Sequence, residues 1–460
     1  MHSSAAQRSA RLSTAPGVYF LTLGCPKNEV DSDRMKAAVL GSAFGVTEDP
    51  DAADIVVVNT CSFIQDATEE SIQAILDVAA SWLPRREARR LVVAGCLPSR
   101  YGVDLAEAMP EVDAFVPVTE EAALIDVLER LTGISDTATG AVPQPGASSP
   151  PSCPPRTVSG PSAYLQVSDG CHRRCSYCAI PTIRGPYRSR PLDEILEEAR
   201  LLVAHGTREI VLIGQDTSSY GRDLHAGARG SARALTLADL VRAIARVEGL
   251  DWLRLMYVQP DGITHELLHA MASEPVVCHY LDMPLQHSSR HVLKGMHRRG
   301  SAAEFLRLIG HIRSVLPDVV LRTSLIAGFP GETADDVRGL IHFLEAARLD
   351  YAGVFSYSPE EGTPAAVMPG LPPKRTRLRR AQRVRDVADR IGFEKAASRV
   401  GDVVDVLVEG TDDEGAIVGR WRGQAPEVDG LVLIDRGESG EIVKARVVDS
   451  LGYDLEAEVT

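Results

Sequence analysis

The chain has no apolar run approaching the ~18 residues of a membrane span. Residues 1–14 are small and polar, with no hydrophobic signal segment. Neither an integral membrane protein nor a secreted one is expected, and the expected location is cytoplasmic. Cysteine is scarce, eight in 460 residues. In a reducing compartment so few thiols argue against a disulfide framework and for metal binding or catalysis. Positive charge is short at one end. Residues 401–460 hold 5 Lys and Arg against 15 Asp and Glu, so −10 of the net −14 lies there. Such a module repels a phosphate backbone and attracts basic partners, unless its charge serves only solubility. What the chain does have is a 44% hydrophobic content, ample for sizeable cores, and a length that suggests two or three domains.

Three of the cysteines crowd together. Cys171, Cys175 and Cys178 form C-x3-C-x2-C in Gly170-Cys171-His172-Arg173-Arg174-Cys175-Ser176-Tyr177-Cys178. Three thiolates at this spacing can reach three irons of one 4Fe–4S cluster and leave the fourth without a protein ligand. A zinc site, the alternative, wants a second ligand pair nearby at its own spacing, and none follows. The spacing resembles the cluster loop of radical S-adenosylmethionine (SAM) enzymes, down to the aromatic Tyr177 before the last cysteine. That resemblance implies that the methionine part of SAM takes the open iron. One electron then splits SAM into methionine and a 5′-deoxyadenosyl radical.

Residues 18–23, 54–58, 91–94 and 114–116 read as strands, with helices from about residue 32 and over 67–82. This β-α-β alternation implies a parallel, doubly wound sheet. Cys25, Cys61 and Cys96 each lie within about three residues of a strand's C-terminal end. In a parallel sheet those ends share one edge, where ligands gather. The three read as ligands of a second 4Fe–4S cluster with an open iron, the alternative being buried structural thiols.

Residues 132–158, rich in Pro, Gly, Ser, Ala and Thr, read as a linker in which Cys153 is an incidental thiol. Beyond it, strand and helix alternate six times. The strands fall near residues 164–168, 209–213, 252–258, 279–283, 319–326 and 353–357, with helices such as 192–205 and 334–347 between them. Six parallel units fit a partial (β/α)6 barrel with its active site at the C-terminal strand ends. The cysteine triplet follows the first strand. Gly214-Gln215-Asp216 follows the second, where radical SAM enzymes carry a motif that meets the SAM amino group. Ile326-Ala327-Gly328-Phe329-Pro330-Gly331 follows the fifth and resembles their adenine-contacting segment. The resemblance implies SAM contacts at Gly214, Gln215, Asp216 and Gly328.

A basic helical stretch, residues 374–399, leads into the acidic tail, whose short strands near 403–408, 430–434 and 442–448 suggest a small OB-like β-barrel. Gly419-Arg420-Trp421-Arg422-Gly423-Gln424-Ala425-Pro426 resembles the signature turn of a TRAM module. Its Arg-Trp-Arg could stack bases, although the surrounding acidity argues against that use. The expected fold class is α/β, with a doubly wound parallel-sheet domain, a partial (β/α)6 barrel and the small β-barrel. The expected boundaries are a disordered lead-in at 1–16, an auxiliary-cluster domain at 17–131, the linker at 132–158, a radical SAM core at 159–394 and the TRAM domain at 395–460.

From about residue 17 to 460 the chain resembles the methylthiotransferase family of radical SAM enzymes. Leu23-Gly24-Cys25-Pro26-Lys27-Asn28 with Asp31-Ser32, Asn59-Thr60-Cys61 and Gly95-Cys96 are similar to its three N-terminal cysteine motifs. Ile180-Pro181 with Arg184-Gly185 and Ser189-Arg190 is similar to its post-cluster segment. Glu29 and Asp33 depart from the usual residues. Members that modify tRNA adenosine usually carry Gln-Met-Asn after the first cysteine and Gly-Gln-Asn-Val after the second barrel strand. Here Pro26-Lys27-Asn28 and Gly214-Gln215-Asp216-Thr217 stand there, with Asp282-Met283-Pro284-Leu285-Gln286-His287, Arg322-Thr323 and Tyr357-Ser358-Pro359-Glu360-Glu361-Gly362-Thr363 further on. These resemble the branch that modifies an aspartate of small-subunit ribosomal protein S twelve, a basic protein that the acidic tail suits.

The resemblance implies two 4Fe–4S clusters, SAM as cofactor and radical abstraction at the aspartate β-carbon. It also implies sulfur presented on the auxiliary cluster and an electron donor such as a flavodoxin or ferredoxin. His287, Arg184 and Arg190 are candidates for the substrate side or for structural roles. Cys278 carries no assigned role. A tRNA methylthiotransferase and a non-catalytic iron–sulfur or RNA-binding protein are the rival readings. The rivals separate on tRNA binding and on SAM cleavage.

Overall fold

The computed structural model describes residues 15–85, 88–134, 156, 158, 160–224 and 234–460. Most of the expected lead-in and linker, with Cys153, lies outside the described residues. The rest forms two compact units, one reaching residue 157 and including 180–185, the other made of 158–179 and 186–460.

In the first unit β1 (Gly17–Thr22), β2 (Gly45–Val46), β3 (Ile55–Thr60), β4 (Arg90–Gly95) and β5 (Ala114–Pro117) form a parallel sheet of order β2-β1-β3-β4-β5. Every residue of β3 is buried, because helices cover both faces as a parallel sheet requires. Ile55 and Val57 enter one core with Met35 and Val39, while Val56 and Val58 enter the other with Ile75 and Leu97. The first helix is Pro26–Leu40, six residues longer at its start than the pattern suggests. Cys25 is extended and Pro26 takes the first helical position, where its missing N–H costs nothing. The opening turns carry Lys27, Asn28, Asp31, Ser32 and Asp33, all buried. Apolar periodicity cannot find a helix whose buried face is polar.

In the second unit β6 (Ser162–Gln166), a short antiparallel pair β7 (Ser168–Asp169) and β8 (Arg188–Ser189), and then β9 (Glu209–Ile213), β10 (Trp252–Leu255), β11 (Val277–Asp282), β12 (Val320–Ala327) and β13 (Tyr351–Ser356) follow in order. The six long strands form a parallel sheet of order β6-β9-β10-β11-β12-β13, the α/β arrangement expected. The strand expected over 252–258 stops at Leu255, and Tyr257 has a φ of 59°, outside the β region.

The tail closes into a barrel of β14 (Val403–Thr411), β15 (Ile417–Trp421), β16 (Val432–Ile434), β17 (Ile442–Leu451) and β18 (Asp454–Val459), in the order β14-β15-β16-β18-β17. Gly419-Arg420-Trp421, read as part of a turn, lies in β15. Nor is the Arg-Trp-Arg triplet laid out for bases. Arg420 is fully buried, its Nη2 donating to Glu209 Oε2 at 2.5 Å, and Arg422 Nη2 donates to Pro275 O. The Arg399 guanidinium lies 3.9 Å over the Trp421 ring. Arg254 Nε completes the Glu209 pair at 2.7 Å, and Tyr280 OH donates to Asp429 Oδ2 at 2.7 Å. The tail therefore fastens to the N-terminal ends of strands such as β9. The cysteine loop leaves from the opposite, C-terminal end of β6.

Candidate iron–sulfur and SAM sites

In the first unit Cys25, Cys61 and Cys96 stand at the C-terminal ends of β1, β3 and β4, as the strand pattern predicts. Two glycines let them approach. A side chain at Gly24 (φ +100°) would put its Cβ 2.5 Å from Cys61 Cβ, and one at Gly95 (φ +95°) would strike Asn59 Oδ1 at 2.2 Å. Asn28 sits at the centre. Its Nδ2 donates to Leu23 O and Thr60 O, tying the ends of β1 and β3 together, while Oδ1 lies 3.9 Å from Cys25 Sγ and 3.7 Å from Cys96 Sγ. Arg184 donates to that same oxygen at 2.9 Å and to Asp31 Oδ2 at 2.7 Å, with Cys96 Sγ 3.8 Å away. The Arg184 and Asp31 side chains are both almost wholly buried. Burial pushes the Cys61 thiol up and Cys96 up to about 12, while the nearby guanidinium works against it. Thiols in that state keep their protons until a metal displaces them.

In the second unit Cys171, Cys175 and Cys178 leave β6 on one loop. Arg173, inside that loop, donates from Nε to Asp216 Oδ2 at 2.6 Å and from its Nη atoms to both oxygens of Asp261. Ser176 N donates to Met296 O, and Arg298 Nη1 approaches Cys175 Sγ at 3.8 Å. Burial raises the Cys171 thiol, and Arg173 N donates to its sulfur at 3.4 Å. Among the described residues no three His, Cys, Asp or Glu side chains gather around a single ion. Each set offers three thiols, polar neighbours and a guanidinium, donors that fit a cluster carrying negative charge.

The residues with implied SAM roles are placed as follows. Gly214, Gln215 and Asp216 follow β9, with Gln215 Nε2 donating to Asp169 Oδ1 at 3.2 Å. The buried Asp216 carboxylate accepts from Arg173, Ser218 and Ser219, so in this structure it serves the cysteine loop. Gly328 follows β12, its N–H donating to Glu332 Oε2 at 2.8 Å. His287 does not line an open face. It is fully buried, and Nδ1 accepts from Ser288 N and Ser289 N, which puts the ring proton on Nε2, 3.4 Å from Glu332 Oε2. His287 Nε2 makes no hydrogen bond here and lies beside the carboxylate that accepts from Gly328. Arg190 is structural, donating to Gln166 O and pairing with Glu198. Sequence reasoning passed over Asn28, Asp31, Arg173 and Arg298. The first three stand in motifs it quoted, and only the fold shows which thiols they meet.

A six-stranded parallel sheet with a three-cysteine loop after its first strand, followed by a small closed β-barrel, defines a radical SAM protein with a TRAM module. Family models agree: Radical SAM superfamily over residues 165–344, Uncharacterized protein family UPF0004 over 17–117 and TRAM domain over 400–460. The ribosomal protein uS12 methylthiotransferase RimO of Geotalea uraniireducens (strain Rf4) is 44% identical over 450 residues, covering 96% of this chain and 98% of that protein. Its counterpart from Geobacter sulfurreducens is 43% identical over 448 residues, covering 96% and 98%. Among solved structures the radical SAM methyltransferase TsrM from Kitasatospora setae, with cobalamin and a [4Fe-4S] cluster bound, matches at a TM-score of 0.54. At 16% identity, with 77% of this chain and 74% of that one covered, it speaks for the fold alone. The chain belongs to the RimO family of radical SAM methylthiotransferases, whose cofactors are SAM and 4Fe–4S clusters.

Proposed function

We propose that this chain inserts a methylthio group at the β-carbon of an aspartate in ribosomal protein uS12, with Cys171, Cys175 and Cys178 holding the radical SAM cluster and Cys25, Cys61 and Cys96 the auxiliary one. The observation that carries this reading is the pair of separate three-thiol sets, each at the C-terminal edge of its own parallel sheet. Bound there, the clusters supply reductive cleavage of SAM at one site and a sulfur donor at the other. The chain's own residues prepare both. Arg173, held by Asp216 and Asp261, fixes the outline of the cysteine loop. The Glu332 carboxylate, fixed by Arg380 and faced by His287, holds the Gly328 turn ready for adenine. Arg184 sets a positive charge beside Cys96 and favours its thiolate. Apolar barrel walls limit quenching of a radical by water.

The test is anaerobic incubation of reconstituted enzyme with uS12, SAM and reductant, read by mass spectrometry. The intact chain should hold about eight irons, two clusters of four. Changing Cys171, Cys175 and Cys178 together to Ala should leave about four irons and no SAM cleavage. The same change at Cys25, Cys61 and Cys96 should leave about four with cleavage retained. Full iron in either variant, or methylthiolation of tRNA instead of uS12, would overturn the reading.

A further inference from the structure

The cysteine loop of the second unit has an outer wall made by residues 294–299. Ser176 Oγ donates to Gly295 O at 2.7 Å, the His297 ring meets Arg174 O at 3.0 Å, and Arg298 reaches Cys175 Sγ. This wall is cationic and faces solvent. Arg174, Lys294, His297 and Arg299 are all exposed. Among the described residues none of Arg174, Lys294 and Arg299 has an ion-pair partner. Two acids of this unit are engaged with other cations. Asp261 is taken by Arg173, and Glu332 is buried against Arg380. One exposed carboxylate, Glu361, stands on the neighbouring loop whose Ala365 N donates to Ser176 O. In a chain of net charge −14, a positive collar around a thiol-contacting arginine calls for an explanation. It cannot attract a basic protein substrate, since like charges repel.

We propose that this collar is the docking surface for an acidic one-electron carrier protein. The inference rests on the reading that Cys171, Cys175 and Cys178 hold the cluster that cleaves SAM. That cleavage consumes one electron per SAM, which the carrier gives up as its reduced form is oxidised by one electron. Transfer is fast only over short distances, so a carrier must dock beside the cysteine loop. Residues 294–299 contact that loop directly, and the collar's sign selects an acidic partner and steers its approach.

The experiment uses full-length reconstituted enzyme and a reduced flavodoxin as probe, with Lys294→Glu/Arg299→Glu as the variant. Neither side chain touches a thiol. Flavodoxin binding, measured by calorimetry at low salt, should weaken by about tenfold or more, and its salt dependence should flatten. Flavodoxin-driven SAM cleavage should slow in parallel, while dithionite-driven cleavage and iron content stay at the wild-type level. Unchanged flavodoxin binding and flavodoxin-driven rate would overturn the proposal. So would a loss confined to binding of small ribosomal subunits, which would assign the collar to RNA phosphates. Absence of dithionite-driven cleavage in the wild type would instead overturn the cluster reading beneath it.

Discussion

Arg184 shows how much one side chain carries. Its guanidinium is buried against Asp31, shares the Asn28 oxygen and lies 3.8 Å from Cys96 Sγ. Removing one member of a buried ion pair leaves the other uncompensated, at a cost of about 3–5 kcal/mol. Arg184→Ala should therefore lower the midpoint of thermal unfolding and strip the auxiliary cluster, leaving about four irons after gel filtration. Arg184→Gln combined with Asp31→Asn should recover much of the stability, because no charge is then stranded, yet not the iron, because the cation beside Cys96 is gone. Iron restored in the double variant would mean that Arg184 serves folding only.

At the scale of elements, Asp216 ends one strand's loop and holds another. The resemblance to radical SAM enzymes implies a SAM contact there, whereas the structure shows a clamp on the cysteine loop through Arg173. The two roles part cleanly. A hydrogen bond to a charged group is worth roughly 1.5–3 kcal/mol, so a lost clamp in Asp216→Ala should let the radical SAM cluster leak, with iron falling toward four. A lost SAM contact would raise the KM for SAM with iron unchanged. Such roles mark the limit of what the sequence discloses. The parallel strands were readable because burial on both faces makes them continuous apolar runs, as in Val56-Val57-Val58, and the cysteines at their ends were readable with them. The helix opening at Pro26 was not, because its buried face is polar. Which of two charged neighbours turns toward the site, the half-buried Arg173 or the exposed Arg174, depends on carboxylates 43 and 88 positions away. No local pattern encodes that.

For the whole second unit the tail is both a fastening and a surface, and the two must be tested separately. Burial works to raise the Glu209 pKa, and the Arg254 and Arg420 guanidiniums overcome it, holding the carboxyl down to about 2. A depressed acid contributes stability that is complete above its ordinary value of about 4.3 and is lost as pH falls toward 2. Asp429 acts in the opposite sense. Burial pushes it up to about 6, so its contribution is lost as pH rises from about 4 to 6. Denaturant titrations across pH 2–7 should show both slopes, with Asp429→Asn removing the upper one and Arg420→Ala the lower. Deleting residues 401–460 is therefore a poor test of docking, since it strips Arg420 from a buried carboxylate and damages the strands above. Charge reversal on the outer face avoids this. Asp413, Glu414 and Glu438 are exposed and take no part in the fastening, whereas two of the tail's five cations, Arg420 and Arg422, are spent on it. Two tail acids, Glu409 and Asp429, are engaged there as well, so the face left for partners keeps the acidic balance of the whole tail. Changing those three acids to Lys should weaken uS12 binding most at low salt, because exposed charges are screened over roughly 8 Å at physiological ionic strength. SAM cleavage without substrate should not move. Affinity for uS12 that stays the same at low salt would show that the tail's charge keeps the protein soluble and does nothing to choose its substrate.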